Sequence, residues 1–117
     1  MSSAIIDMAE LLARVEDDRG LMRDLLLIFK EEFPQHLQAL RHAVNSADGE
    51  KVAAEAHALK GMLSNLAAHP AAAAAARLEQ LGRDREASQF PEAFTSFEEI
   101  SKELLLQLDV CMAKVSG

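Results

Sequence analysis

Apolar residues recur every three to four positions along most of the chain, which is the period of amphipathic α-helices. The pattern predicts five helices, spanning about residues 4–15, 19–45, 50–68, 70–85 and 91–114. The first helix is short, and the other four are long enough to pack side by side. Since the connections are short, neighbouring helices should run antiparallel. We therefore predict an all-α fold, an antiparallel up-down-up-down four-helix bundle with a short additional N-terminal helix, in a single domain over residues 1–117.

Local signals set the predicted helix ends. Glu16-Asp17-Asp18 separates the first two helices, and either aspartate can cap the second. Pro34 falls inside the second helix, where we expect a kink or a lost hydrogen bond. Pro70 suits the first turn of the fourth helix. The alanine run 71–76 in that helix predicts a thin surface that lets a neighbouring helix approach closely.

The short first helix carries more apolar residues than one stripe needs. Its predicted inward face comprises Ile5, Met8, Leu12 and Val15. Three apolar residues fall outside the predicted stripes, and they either pack under the first helix or form a docking patch: Ile6, Leu11 and Met62.

Composition and charge narrow the class of protein. Half of the 117 residues are apolar, so a core can form without disulfides or structural metal. The net charge of −7, with scattered basic residues, disfavours nucleic acid and anionic membrane surfaces as partners. No signal peptide is visible and no apolar run approaches the roughly 20 residues that cross a bilayer. We expect a cytoplasmic, soluble protein.

Several kinds of catalytic site are disfavoured by the sequence. None of the four histidines has Asp or Glu three positions before it, and there is no HExxH motif or Cys/His cluster, so we expect no metal site. Phosphate-binding loops such as GxxxxGK[ST], and the GxSxG nucleophile motif, are also missing. The single cysteine, Cys111, lies on the predicted core stripe and is interpreted as a small buried apolar residue.

His57 is the strongest candidate for chemistry. It follows Ala56 of the predicted core stripe, so its ring should lie at the stripe's edge and face solvent. Lys60, Gly61 and Ser64 share its face at offsets of three, four and seven. A glycine within a helix costs about 1 kcal/mol relative to alanine. Close approach by another molecule would explain why Gly61 is tolerated.

The predicted hairpin supplies a partner for His57. If the chain turns near Ala68, residues 57 and 79 are each eleven positions from the turn and lie level. Residue 79 is Glu79, whose carboxylate can accept a hydrogen bond from one ring nitrogen and fix the tautomer. The other nitrogen is then left as an exposed nucleophile, and Lys60 can stabilise a negative group added there.

This stretch resembles the histidine phosphotransfer (HPt) domain, whose pattern is His-x-Leu-Lys-Gly followed by Asn-Leu-Gly-Ala. Residues 57–61 read His-Ala-Leu-Lys-Gly and residues 65–68 read Asn-Leu-Ala-Ala. The resemblance extends over nearly the whole chain, and Leu78-Glu79 on the fourth helix also match. Ala67 departs from the pattern, since the family often has glycine there, and this puts docking or the end of the helix in doubt.

The resemblance implies residue roles. His57 is the phosphoacceptor, Lys60 and Glu79 assist it, and the partner-binding residues are Gly61, Ser64 and Asn65. Its partners are response-regulator receiver domains and a hybrid sensor kinase. It is then a carrier without kinase or ATPase activity and without a cofactor of its own, since Mg²⁺ is expected on the receiver only. We expect a monomer.

Other interpretations remain open at this point. The chain could be a helical adaptor that never carries phosphate, or the phosphoacceptor domain of a larger kinase. His36 is level with His57 on the preceding helix and either flanks the site or is an ordinary half-exposed histidine. His42 and His69 are interpreted as a surface and a turn residue. Arg83 and Arg85 either meet an acidic partner or are ordinary surface charge.

Overall fold

The computed structural model describes residues 5–116, with side chains as far as residue 115. The described chain has no strand and forms the helices Met8–Arg14 (α1), Arg19–Asn45 (α2), Gly49–Asn65 (α3), His69–Arg83 (α4) and Phe90–Ser116 (α5). A single 3-10 turn, Ala87–Gln89, precedes α5. Helix α3 packs between α2 and α4, and α5 closes the bundle by contacting α2 and α4. This confirms the predicted all-α, up-down-up-down bundle with a short N-terminal helix.

Three of the helices begin at aspartate caps. The carboxylates of Asp7, Asp18 and Asp48 accept hydrogen bonds from backbone N–H groups in the first turns of α1, α2 and α3, at 3.0, 3.0 and 3.2 Å. Each bond satisfies an N–H that has no partner within the helix. Asp18, rather than Asp17, is therefore the cap of the second helix.

Two predicted helix ends are too late, for a shared reason. Helix α3 ends at Asn65 instead of residue 68, and α4 ends at Arg83 instead of residue 85. Just beyond these ends, Ala67 and Arg85 both have a φ of 57°, in the left-handed region. The N–H of Ala68 bonds the carbonyl of Leu63 at 2.9 Å, which closes the end of α3 in a Schellman motif. Glycine usually marks this turn, and neither position has it.

Helix α1 begins later than predicted. Its first residue is Met8, because Asp7 caps it, and the predicted start at residue 4 lies outside the described residues. The predicted inward face is partly wrong. Leu11 and Ile6 are almost fully buried, whereas Met8 and Leu12 are only partly buried. Ile6, Leu11 and the half-buried Met62 all pack with the core, which favours packing over a docking patch.

The remaining helix bounds lie close to the predictions. Helix α2 has the predicted bounds and continues through Pro34 without a break. Helix α3 begins at Gly49 instead of residue 50, α4 at His69 instead of residue 70, and α5 covers Phe90–Ser116 instead of 91–114. These shifts leave the order and direction of the helices unchanged.

The interior is filled by large apolar side chains from all four long helices. The rings of Phe29 and Phe33 stack with centroids 4.8 Å apart, and Phe97 lies 6.4 Å from Phe33. Cys111 is buried as predicted, and its burial raises the pKa of the thiol. The largest fully buried side chains on the long helices are Phe33, Phe90, Phe97, Met22, Leu26, Leu40, Leu59, Leu63, Leu78 and Leu104. No helix within residues 5–116 has the length and apolar character needed to cross a membrane.

Helices α3 and α4 approach each other at backbone distance. A Cβ on Gly82 would lie 2.6 Å from the backbone nitrogen of Ala53 and 2.7 Å from the carbonyl oxygen of Gly49. Buried alanines continue this thin surface along α4, among them Ala71 and Ala75. The close approach is shown at Gly82, beyond the alanine run; within the run the buried alanines are compatible with it, and close approach there stays a prediction. Because Ala53 is one turn before His57, the contact sets how α4 lies beside the histidine.

Candidate functional site

His57 lies on the outward side of α3, where the chain leaves the core. The preceding residue, Ala56, is fully buried, and one position later the His57 side chain is 66% exposed. This is the expected result of a 100° step around a helix. The ring can therefore be reached by another molecule while its backbone is fixed in the bundle.

Glu79 on α4 lies level with His57, as the count of residues to the turn predicts. Its Oε2 is 2.9 Å from Nδ1 of His57, and its side chain is only 4% exposed. It follows the fully buried Leu78 and faces the α3–α4 interface. A buried carboxylate thus meets one side of an exposed imidazole.

Two cations hold the Glu79 carboxylate. Nζ of Lys60 lies 2.6 Å from Oε1, and a guanidinium nitrogen of Arg83 lies 2.6 Å from Oε2. The hydrogen bond from Lys60 is the largest cause that lowers the pKa of Glu79, and the bond from His57 and the Arg83 charge act in the same direction. Burial opposes them, yet the net direction is downward. Glu79 is therefore ionised at neutral pH.

The ionised state of Glu79 decides the tautomer of His57. An ionised carboxylate only accepts hydrogen bonds, so Nδ1 of His57 must carry the proton and donate a hydrogen bond to Oε2. In the neutral ring, Nε2 then carries the free lone pair. The site presents an oriented nitrogen nucleophile on the protein surface.

Arg83 is the residue of this cluster that the sequence analysis missed. The sequence suggested either contact with an acidic partner or ordinary surface charge for it, and not contact with Glu79. Its spacing from Glu79 is four residues, the distance at which opposite charges on a helix pair. That spacing was the available signal, and it gains weight only once Glu79 is known to be buried.

Gly61 faces open space. A Cβ placed on it would meet nothing within 4 Å among the atoms outside its own helix segment. No contact within the described protein therefore requires glycine at this position. The interpretation that another molecule approaches here stays a prediction, and the open surface is compatible with it.

Ser64 and Asn65 lie farther along α3, about 10–12 Å from His57 along the helix axis. The Ser64 carbonyl accepts a hydrogen bond from Arg14 of α1 at 2.6 Å, and Asn65 is exposed at the end of α3. Neither residue forms a hydrogen bond with the His57–Glu79 cluster. A role for them therefore requires a partner that covers the two helical turns between His57 and Asn65.

The other histidines stand apart from this cluster. His36 is half-buried on α2 and His42 is exposed, and neither has a hydrogen bond to His57 in the described chain. Nε2 of His69 lies 2.7 Å from Glu10 of α1, so His69 is more than a turn residue, because it links α1 to the start of α4. Within residues 5–116, no three His, Cys, Asp or Glu side chains gather as potential metal ligands.

Comparisons with known proteins bear on this geometry. One family, the Hpt domain, matches residues 24–114 of the chain. The crystal structure of histidine-containing phosphotransfer protein B from Pseudomonas aeruginosa PAO1 is similar, with a TM-score of 0.88 and 22% sequence identity over 97% of this chain and 98% of that chain. No curated protein matches the chain significantly. At this identity, the structural similarity establishes a shared fold.

Proposed function

The chain belongs to the Hpt domain family, and on that premise we propose that it carries phosphoryl groups on His57 in a phosphorelay. His57 accepts the group from an aspartyl phosphate of one receiver domain and passes it to a second receiver. The observation that carries this proposal is the exposed His57 ring with Nδ1 bonded to the buried, ionised Glu79. It leaves Nε2 as the nucleophile.

The transfer step follows from the tautomer. The Nε2 lone pair attacks phosphorus, an N–P bond forms, and the P–O bond to the receiver aspartate breaks, so that the aspartate leaves as a carboxylate with the bonding electrons. The ring keeps its Nδ1 proton and becomes positively charged, and the Glu79 carboxylate at 2.9 Å offsets that charge. Donation to the second receiver is the reverse of these changes.

The partner supplies what this chain does not. We propose that the receiver brings the acidic pocket and the Mg²⁺ that stabilise the transferring group, and that this chain acts as a monomeric carrier without kinase or ATPase activity. Gly61 leaves room for the receiver beside His57, and Ser64 and Asn65 extend the contact along α3. Exposed apolar residues at helical spacing on α2 suit a protein partner: Leu21, Leu25 and Ile28.

Substitution of the nucleophile tests the proposal. We expect His57→Gln to abolish acceptance of label from a ³²P-phosphorylated receiver, because the amide has no ring nitrogen to attack. His42→Gln is the matched control, since His42 is an exposed histidine on the neighbouring helix, and it should accept label at the wild-type rate. The label should be acid-labile and alkali-stable, as expected for a phosphoramidate, and circular dichroism should show equal helix content in all three proteins.

Two results would contradict the assignment. Label retained by His57→Gln would place the phosphoryl group on another residue. A wild-type protein that binds the phosphorylated receiver but takes no label would favour the alternative, a helical adaptor that never carries phosphate.

A further inference from the structure

Arg83 shares an acceptor atom with the nucleophile. Its guanidinium lies 2.6 Å from Oε2 of Glu79, the oxygen that also accepts the hydrogen bond from Nδ1–H of His57. Lys60 lies on the other oxygen at 2.6 Å. The Arg83 side chain is 61% exposed, so its contact with Glu79 is at the outer edge of the cluster. Two cations therefore contact the single carboxylate of Glu79.

The charges of the cluster are unbalanced before phosphorylation. Glu79 contributes one negative charge and Lys60 and Arg83 contribute two positive charges, with a neutral His57 ring. A phosphoryl group adds close to two negative charges at neutral pH. One cation can then turn to the phosphoryl group while the other stays with Glu79. If both left, the buried carboxylate would keep only the positively charged His57 ring as a cationic partner, which is unfavourable.

The positions of the two cations indicate which one moves. Lys60 is three residues from His57 on the same helix, and its flexible stem ends in a compact charge with freely rotating donors. Arg83 is four residues from Glu79 on α4. Its contact is therefore local to the carboxylate, and it can persist when Lys60 leaves.

We propose that Arg83 is a positioning residue for phosphoryl transfer, which holds the Glu79 carboxylate against the His57 ring while Lys60 turns to the phosphoryl group. This inference rests on the proposed function of His57. Without Arg83, Lys60 must stay with Glu79, and the transferring group loses its only nearby cation from this cluster. Arg83 thus acts through Glu79 and has no contact of its own with the phosphoryl group.

Transfer kinetics with single and double variants test the inference. We expect Arg83→Gln to slow acceptance of label from a phosphorylated receiver about tenfold, the loss expected for one charged hydrogen bond. Arg83→Lys should restore most of the rate, because it keeps a cation at that position. Arg77→Gln is the matched control, an exposed arginine on the same helix whose loss gives the same charge change. It should transfer at the wild-type rate.

The double variant distinguishes positioning from a direct contact with the receiver. If Arg83 acts through Glu79, Arg83→Gln should cause no further loss in a Glu79→Gln background. Equal rates for Arg83→Gln and wild type would overturn the inference. So would an undiminished loss in the Glu79→Gln background, because Arg83 would then act elsewhere. A wild-type protein that takes no label would overturn the proposed function itself, so the two failures are distinct.

Discussion

Two glycines on the α3–α4 pair differ in what surrounds them. Gly82 has no space for a side chain, because an added Cβ would lie 2.6 Å from the Ala53 backbone nitrogen of the facing helix. Gly61 has open space where its Cβ would be, with nothing within 4 Å. His57 lies between these two positions along the helix pair. The bundle therefore needs the first glycine for its own packing and has no internal need for the second.

The difference indicates that Gly82 is needed for folding, whereas Gly61 is available for recognition of a partner. At Gly82 the missing side chain lets two backbones touch and fixes the spacing of α3 and α4. At Gly61 a glycine lowers helix stability by about 1 kcal/mol relative to alanine, with no packing gain within the described protein. A position that weakens the helix and touches nothing is the expected place for contact with a partner.

Alanine at the two glycines should have opposite effects on stability. We expect Gly82→Ala to lower the free energy of unfolding by about 3 kcal/mol, because the new methyl group forces α3 and α4 apart. Gly61→Ala should raise it by about 1 kcal/mol through helix propensity. Urea denaturation monitored by circular dichroism gives both values. Destabilisation of similar size at both sites would show that Gly61 also packs within the fold.

A larger side chain at Gly61 should affect transfer instead of folding. We expect Gly61→Glu to slow phosphoryl transfer from the receiver about tenfold, equivalent to about 1.4 kcal/mol of lost interaction. The reason is that the side chain fills the space beside His57. Thermal unfolding should change little, and the rate is measured with labelled receiver.

Gly61→Gln is the control for charge, since it has nearly the same size as glutamate and is neutral. Slowing by both variants indicates a steric effect, and slowing by glutamate alone indicates charge repulsion. Wild-type rates in both variants would contradict the idea that a partner approaches over Gly61.

The smallest expected effect concerns glycines that the chain lacks, at the turns on either side of α3. Ala47 has a φ of 53° and is exposed, so Ala47→Gly should stabilise the protein by about 0.5–1 kcal/mol by relieving the left-handed backbone. Ala67 has a φ of 57° but its methyl group is fully buried, so Ala67→Gly should gain less. Denaturant midpoints measure both, and a larger gain at Ala67 would contradict this ranking.

The existence and order of the helices were predictable because the apolar repeat of three to four residues continues regularly over long segments. The end of α3 was not, because its left-handed cap residue is Ala67 and carries no local signal. The departure from the HPt pattern at Ala67 falls on this cap, and its carbonyl also accepts a hydrogen bond from the N–H of Asp7 at 2.9 Å. Because Ala67 lies at the end of α3, ten residues from His57, the departure does not touch the His57–Glu79 contact; its effect on docking stays a prediction.

The pairing of His57 with Glu79 was predictable because antiparallel helices keep residues at equal distances from a turn level with each other. The contact of Arg83 with Glu79 required the structure, since only the structure shows that Glu79 is buried with a cation at each of its oxygens. The existence of α1 was predicted, but its buried face was not. Both Leu11 and Leu12 fit an amphipathic stripe, and the cap at Asp7 decides that Leu11 is the buried one.

The contact between Gly82 and Gly49 has a genetic consequence. Every single-base change in a glycine codon that alters the amino acid adds at least a Cβ, and at Gly82 that atom has no space. No point mutation there is conservative in shape, so selection should act on this position even though it lies outside the His57–Glu79 cluster. At Gly61 the fold sets no such limit, because an added Cβ meets nothing within 4 Å. Selection against replacement should therefore act through folding at Gly82, and at Gly61 only through the proposed transfer to a partner.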